Sequence, residues 1–239
     1  MALPDPRFTF TPAQTPRVIF EDTHLAVFDK PFGLLSQGDI SGEASLVDYC
    51  RQHFGRNYVG LVHRLDRNTS GLIVVAKRSK AANRLTESLK EGTLVRTYLA
   101  WLVGRVPAPA TWENLLLKDE KTNTVRVVQS IGPSKAKMAK LSVKPVSYLK
   151  PDSIATPCLT LCEFVLDTGR SHQIRVQSHA AGFPLLGDTK YAAKNGPTFS
   201  RTALHSHRIR FPHPMSDENL EFLSPLPADL QIQGTVDSA

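Results

Sequence analysis

The chain has 239 residues, with 29 Lys+Arg against 22 Asp+Glu and a formal net charge of +7. That length builds one large domain or two subdomains sharing a sheet, and the basic excess favours polyanionic partners, RNA and DNA first, because phosphate contacts release counterions. Cys50, Cys158 and Cys162 are too few and scattered for a disulfide framework, no four-ligand zinc spacing occurs, and neither a signal peptide nor a membrane-spanning window is found, so a soluble cytoplasmic protein is expected.

Residues 1–16 carry Pro4, Pro6, Pro12 and Pro16 and read as an extended arm. Val18 to Phe20 and His24 to Asp29 are expected as two short strands, ended by Pro31 and Gly33. Ser45 is placed to cap a short helix reaching His53, with Leu46, Tyr49 and Cys50 at helical spacing. Leu72 to Ala76 is continuous and β-branched, as in a strand buried on both faces, and Gly71 before it permits a tight bend or a close backbone approach. Ser79 caps a helix to about Lys90, with Ala82, Leu85 and Leu89 as its apolar stripe and Gly92 as its stop.

Leu94 to Val103 is a strong strand, and residues 112–149 read as three short strands separated by polar turns. Among them Lys135 to Lys140 forms a basic cluster, either a solvated loop or an RNA-backbone contact. Leu159 to Leu166 is a further strand, followed by a helix from Ser171 to about Ala181 with Gly182 and Pro184 beyond it. Residues 203–211 and 220–223 supply the last strands, and 226–239 read as a polar tail. Runs of consecutive strands with few helices argue α+β, with a mixed, largely antiparallel sheet in a single domain over 17–225.

Two stretches carry candidate chemistry. His63-Arg64-Leu65-Asp66-Arg67-Asn68-Thr69-Ser70-Gly71 sets a carboxylate, guanidinium groups and a hydroxyl pair on a loop pinned by a rigid strand, where binding and catalytic groups concentrate. The plain alternative is an Asx-turn in which Asp66 caps Asn68 or Thr69. His172, Arg175 and His179, at i, i+3 and i+7, share one face of the later helix, whose N-terminus follows Gly169-Arg170 and is suited to an RNA phosphate.

The first stretch resembles the RluA-type RNA pseudouridine synthase signature His-Arg-Leu-Asp-x-x-Thr-Ser-Gly at all seven specified positions. Thr168-Gly169-Arg170-Ser171-His172-Gln173-Ile174-Arg175-Val176 is similar to the family's second signature, joined by Gly187-Asp188, Tyr191, Leu204-His205 and Phe211-Pro212-His213-Pro214. Asp29-Lys30-Pro31-Phe32-Gly33-Leu34 looks like its opening block and Arg96-Thr97-Tyr98-Leu99-Ala100 like its tyrosine-bearing strand. Ala192-Ala193-Lys194-Asn195 departs from the family pattern, standing where a glycine is often found.

The resemblance implies isomerisation of uridine to pseudouridine in rRNA or tRNA, without cofactor or metal, by a monomer. Asp66 matches the essential aspartate, which attacks C1′ or takes a sugar proton. Arg175 matches an arginine that pairs with it, although Asp167 and Asp188 are alternative partners within the sequence. Tyr98 matches a tyrosine that stacks on the uracil; on its strand pattern alone it is core. Arg64 matches the residue that fills the stack left by the flipped uridine, and Arg170 and His172 are expected to contact RNA. His205, His207 and His213 read as structural or RNA-contacting, not metal ligands. No S4-like domain is expected ahead of the motif blocks, and recognition is expected to fall to the catalytic domain, the basic segment and the arm. Two other classes fit the same residues, a non-catalytic RNA-binding or RNA-folding module and a hydrolytic N-glycosylase.

Overall fold

A computed structural model describes residues 8–130, 135–149, 157–192, 197–232 and 236–238. In chain order the strands and helices are β1 (Arg17–Glu21), β2 (Leu25–Lys30), α1 (Leu46–Phe54), β3 (Gly60–Leu61), β4 (Ser70–Ala76) and α2 (Ser79–Glu91). They continue as β5 (Val95–Val103), β6 (Ala110–Asp119), β7 (Thr124–Val128), β8 (Lys137–Leu149), β9 (Leu159–Leu166) and α3 (Gln173–Ala180). β10 (Leu204–Pro212), β11 (Asn219–Leu223) and β12 (Val236–Ser238) complete the chain. The fold is α+β, and every strand pairing with an assigned register is antiparallel.

The chain forms two compact units. The first comprises residues 1–96 and 206–225, the second residues 97–205 and 226–239. In the first, the strand order is β1-β2-β4-β10, with β11 on β10 and β3 on β4. All seven residues of β4 are buried, which is what its unbroken apolar run requires. Leu72, Val74 and Ala76 pack with Leu25 and Val27 of β2, Ala81 and Leu85 of α2, and Ile209 and Phe211 of β10. Ser45 caps α1 as expected: its Oγ accepts from the Asp48 amide while the Asp48 carboxylate accepts from the Ser45 amide. α2 ends at Gly92 in the left-handed region, but it begins with Ser79 instead of being capped by it; Arg78 holds the N-cap position without a side-chain bond.

In the second unit the order is β5-β9-β8-β6-β7, with β12 on β8. Leu116, Val125 and Ala139 form a cluster with Val176 of α3. A second cluster joins Trp101, Leu149, Leu186, Ala203 and Leu230. Within residues 226–239, Leu230 is buried and its carbonyl accepts from the Trp101 indole at 2.8 Å, while Asp229 pairs with the buried Arg201. Of the three segments expected between 112 and 149, β8 is long, running 13 residues from Lys137, so Lys137 to Lys140 is strand and not loop. Residues 1–7 of the arm and 193–195 of the departing segment lie outside the described residues. Among the described residues, no helix is long and apolar enough to cross a membrane.

Candidate active site

Asp66 is half-buried on the loop that enters β4. The backbone on either side of it is fixed. Just before it, the buried Ser36 hydroxyl donates to the Leu65 carbonyl at 2.7 Å and accepts from the Leu65 amide at 3.0 Å. Just after it, the Arg67 carbonyl accepts from the Gly33 amide at 2.8 Å and from Lys30 Nζ at 3.3 Å. Lys30 is fully buried and also donates to the carbonyls of Leu34 and Pro31, at 2.8 and 3.0 Å. Charge-assisted bonds from one ammonium thus hold the turn after β2 and the Asp66 loop together. The Thr69 amide donates to the main-chain carbonyl of Asp66 at 3.0 Å, closing the turn. Arg67 adds a forked but exposed ion pair with Glu43, worth at most about 1 kcal/mol.

Gly71 is the strand-entry glycine, with φ +106°. A Cβ there would lie 2.2 Å from the carbonyl oxygen of Ser206, so of the tight bend and the close backbone approach that the sequence left open, the close approach is present. Ser206 Oγ in turn donates to the Leu72 carbonyl at 2.9 Å. His63, at the head of the motif, is buried, and its Nε2 accepts from the Val74 amide at 3.2 Å. Burial, followed by the charge of Arg96, pushes its pKa down to about 3 and keeps the ring neutral. Arg64, one residue on, is exposed.

Tyr98, Arg170, His172 and Arg175 belong to the second unit. Tyr98 is 4% exposed on β5, opposite Phe164 of β9. α3 starts at Gln173, two residues later than the pattern suggested, because His172 sits in the left-handed region at φ 52°. Gln173 explains the late start. Its Oε1 accepts from Thr168 Oγ1 and the Arg170 amide, and its Nε2 donates to the Lys140 carbonyl. The exposed Arg170 reaches the edge of β8, where its Nε donates to the Met138 carbonyl at 3.0 Å.

His172 and Arg175 converge on Tyr191, whereas His179 is exposed on the last turn. His172 Nδ1 and Tyr191 Oη are 2.7 Å apart, and the Arg175 guanidinium lies over the Tyr191 ring at 5.2 Å. Arg175 forks onto Asp188, through Nε at 2.7 Å and Nη2 at 2.8 Å. Burial raises the Asp188 pKa, but the hydrogen bond and charge of Arg175, with the Lys190 and Tyr191 amides, hold it below the ordinary carboxylate value. Asp188 is therefore a buried, ionised anchor that orients Arg175. His207 and His213 serve structure: His207 Nδ1 is 2.6 Å from the Ser224 carbonyl oxygen, and His213 Nε2 is 2.8 Å from the Asp22 carboxylate. Sequence reasoning missed the holding roles of Ser36, Lys30 and Gln173, whose partners lie up to 37 residues away.

A family model described as RNA pseudouridylate synthase matches residues 24–180. That span contains the Asp66 loop, β5 and α3. The chain belongs to this family. It is 34% identical over 220 residues to the RNA pseudouridine synthase YhcT of Bacillus subtilis, covering 90% of this chain and 70% of that protein. It is also 34% identical over 230 residues to ribosomal large subunit pseudouridine synthase D of Neisseria meningitidis, covering 89% of this chain and 59% of that one. A solved structure, human RNA pseudouridylate synthase domain containing 1, shares the fold with a TM-score of 0.73 at 23% identity, over 91% of this chain and 86% of the human one. The protein is thus an RNA pseudouridine synthase, an isomerase whose substrate is uridine in RNA.

Proposed function

We propose that the protein isomerises specific uridines in structured RNA by a cofactor-free route centred on Asp66, with residues 17–225 as the catalytic part. The observation that carries this reading is the complete His63-to-Gly71 signature on a loop fixed through the main chain of Leu65 and Arg67. A carboxylate held in that way is pre-organised for its reaction. The N1–C1′ bond breaks with its electron pair passing to uracil. The base turns, C1′ bonds to C5, the C5 proton leaves, and N1 ends as N–H. Asp66 either attacks C1′ or removes a sugar proton. Tyr98 stacks on the uracil and assists loss of the C5 proton, and Arg175 pairs with the Asp66 carboxylate.

Arg64 fills the gap left by the flipped nucleotide, since a stacked base hides its sugar and extrusion costs about a few kcal/mol. Arg170, His172 and the basic segment 135–140 contact the RNA backbone, as the net charge of +7 favours. Relatives named as ribosomal large subunit pseudouridine synthases C and D favour rRNA over tRNA as the target. The enzyme works as a cytoplasmic monomer, in keeping with the buried free thiols of Cys50 and Cys162. Assaying C5-labelled rRNA and tRNA as separate pools tests the reading: release from rRNA alone supports the assignment, and release from tRNA alone reverses the target.

A further inference from the structure

Arg96, the second residue of β5, is 5% exposed, and its Nε is sealed from solvent without a hydrogen-bond partner. No carboxylate among the described residues pairs with it. His63 stands within its field and is 6% exposed, with Nδ1 likewise sealed and unpartnered. Because His63 Nε2 accepts from the Val74 amide, the ring proton belongs on Nδ1, and that atom is a donor. The neutral ring cannot serve as counter-ion. The first unit therefore holds two sealed donors, one of them on a cation, with no acceptor for either.

Leaving a cation buried and unpaired costs several kcal/mol in the free protein, and the other buried arginine among the described residues, Arg201, is given a carboxylate by Asp229. A group that breaks this rule marks a place where a ligand completes the site. A water molecule or a carbonyl would not balance the charge, whereas a phosphate at the terminal amino groups does, and it matches the flat fork of a guanidinium.

We propose that Arg96 is a backbone-phosphate subsite for the bound RNA. The contact is made by the terminal amino groups of Arg96, since Nε is sealed. The subsite rests on the reading of this chain as an RNA-modifying enzyme with its site at Asp66.

The test uses Asp66→Asn protein, so that binding is read without turnover, with and without Arg96→Met and Arg96→Lys. Bulk rRNA fragments are titrated across a KCl series, and thermal melting of each free protein is recorded. The subsite predicts that Arg96→Met melts no lower than its parent and binds RNA several-fold more weakly. Its plot of log affinity against log salt should be shallower by about 0.7 to 0.9, the share of one phosphate. Arg96→Lys should restore most of that slope. An unchanged salt slope overturns the subsite, whether or not the melting temperature falls. A methionine variant that no longer folds also overturns it, because the guanidinium would then be needed by the free protein. Inactivity of Asp66→Asn bears only on the catalytic reading, and the salt slope only on Arg96.

Discussion

The Asp66 loop and the Arg175 region are held in place by different physics. Around Asp66 the fixing bonds run to main-chain groups, from Ser36, Gly33 and Lys30, and behind the loop stands a strand buried at every position. Around Arg175 the bonds run between side chains, with the guanidinium shared by the Asp188 carboxylate and the Tyr191 ring. A main-chain scaffold tolerates replacement of the residue it presents. A side-chain network does not, since each member is another's counter-charge or acceptor. Asp66 should therefore be replaceable without structural damage, while Arg175 and Asp188 should not.

The largest expected effect breaks the first scaffold where it has no slack. Gly71→Ala places a methyl 2.2 Å from the Ser206 carbonyl at φ +106°, and should cost on the order of 4 kcal/mol in urea unfolding. Next is Asp188→Asn, which strips the counter-charge from the part-buried Arg175 at a fully buried carboxylate. A loss of about 3 kcal/mol is expected, and a change under about 0.5 kcal/mol would show that the network is dispensable. Ser36→Ala removes both bonds to Leu65 and should cost about 2 kcal/mol, with kcat falling more than KM rises because the Asp66 backbone loosens.

The smallest effect sharpens the contrast through pH. His63 titrates near 3 in the folded protein against an ordinary 6.5, so the unfolded chain takes up its proton first. Stability from this group is complete above pH 6.5 and declines as pH falls towards 3. Asp188 has a folded value below 3.8, so its contribution is present above that pH and declines only in stronger acid. His63→Gln should flatten the stability profile between about pH 6.5 and 4, and Asp188→Asn should flatten it below about pH 4. Identical profiles for the two variants would erase the distinction.

Local signals were legible in the sequence and distant partnerships were not. The Ser45 cap, the β4 run, the Gly92 stop and the close approach at Gly71 each follow from a residue's own conformational preference or from its neighbours. The late start of α3 was not legible, because it depends on Gln173 bonding to Lys140 on another strand. Nothing next to Lys30 in the sequence marks it for burial, yet it is fully buried because three carbonyls converge on its ammonium. The charge of Lys135 to Lys140 suggested either a solvated loop or an RNA contact and hid the alternation that places Ala139 and Leu141 inside β8. Arg175 had two alternatives to Asp66 within the sequence, and Asp188 is a partner that the fold supplies.

The most direct measurement of the role of Asp66 is tritium release from RNA labelled at uracil C5, with wild type and Asp66→Asn run side by side and their melting curves compared. An essential Asp66 predicts release by wild type only, with the two proteins melting within about 1 °C of each other, as expected for a half-buried residue on a scaffold built from other residues' main-chain bonds. Clear release by a well-folded Asp66→Asn would contradict it.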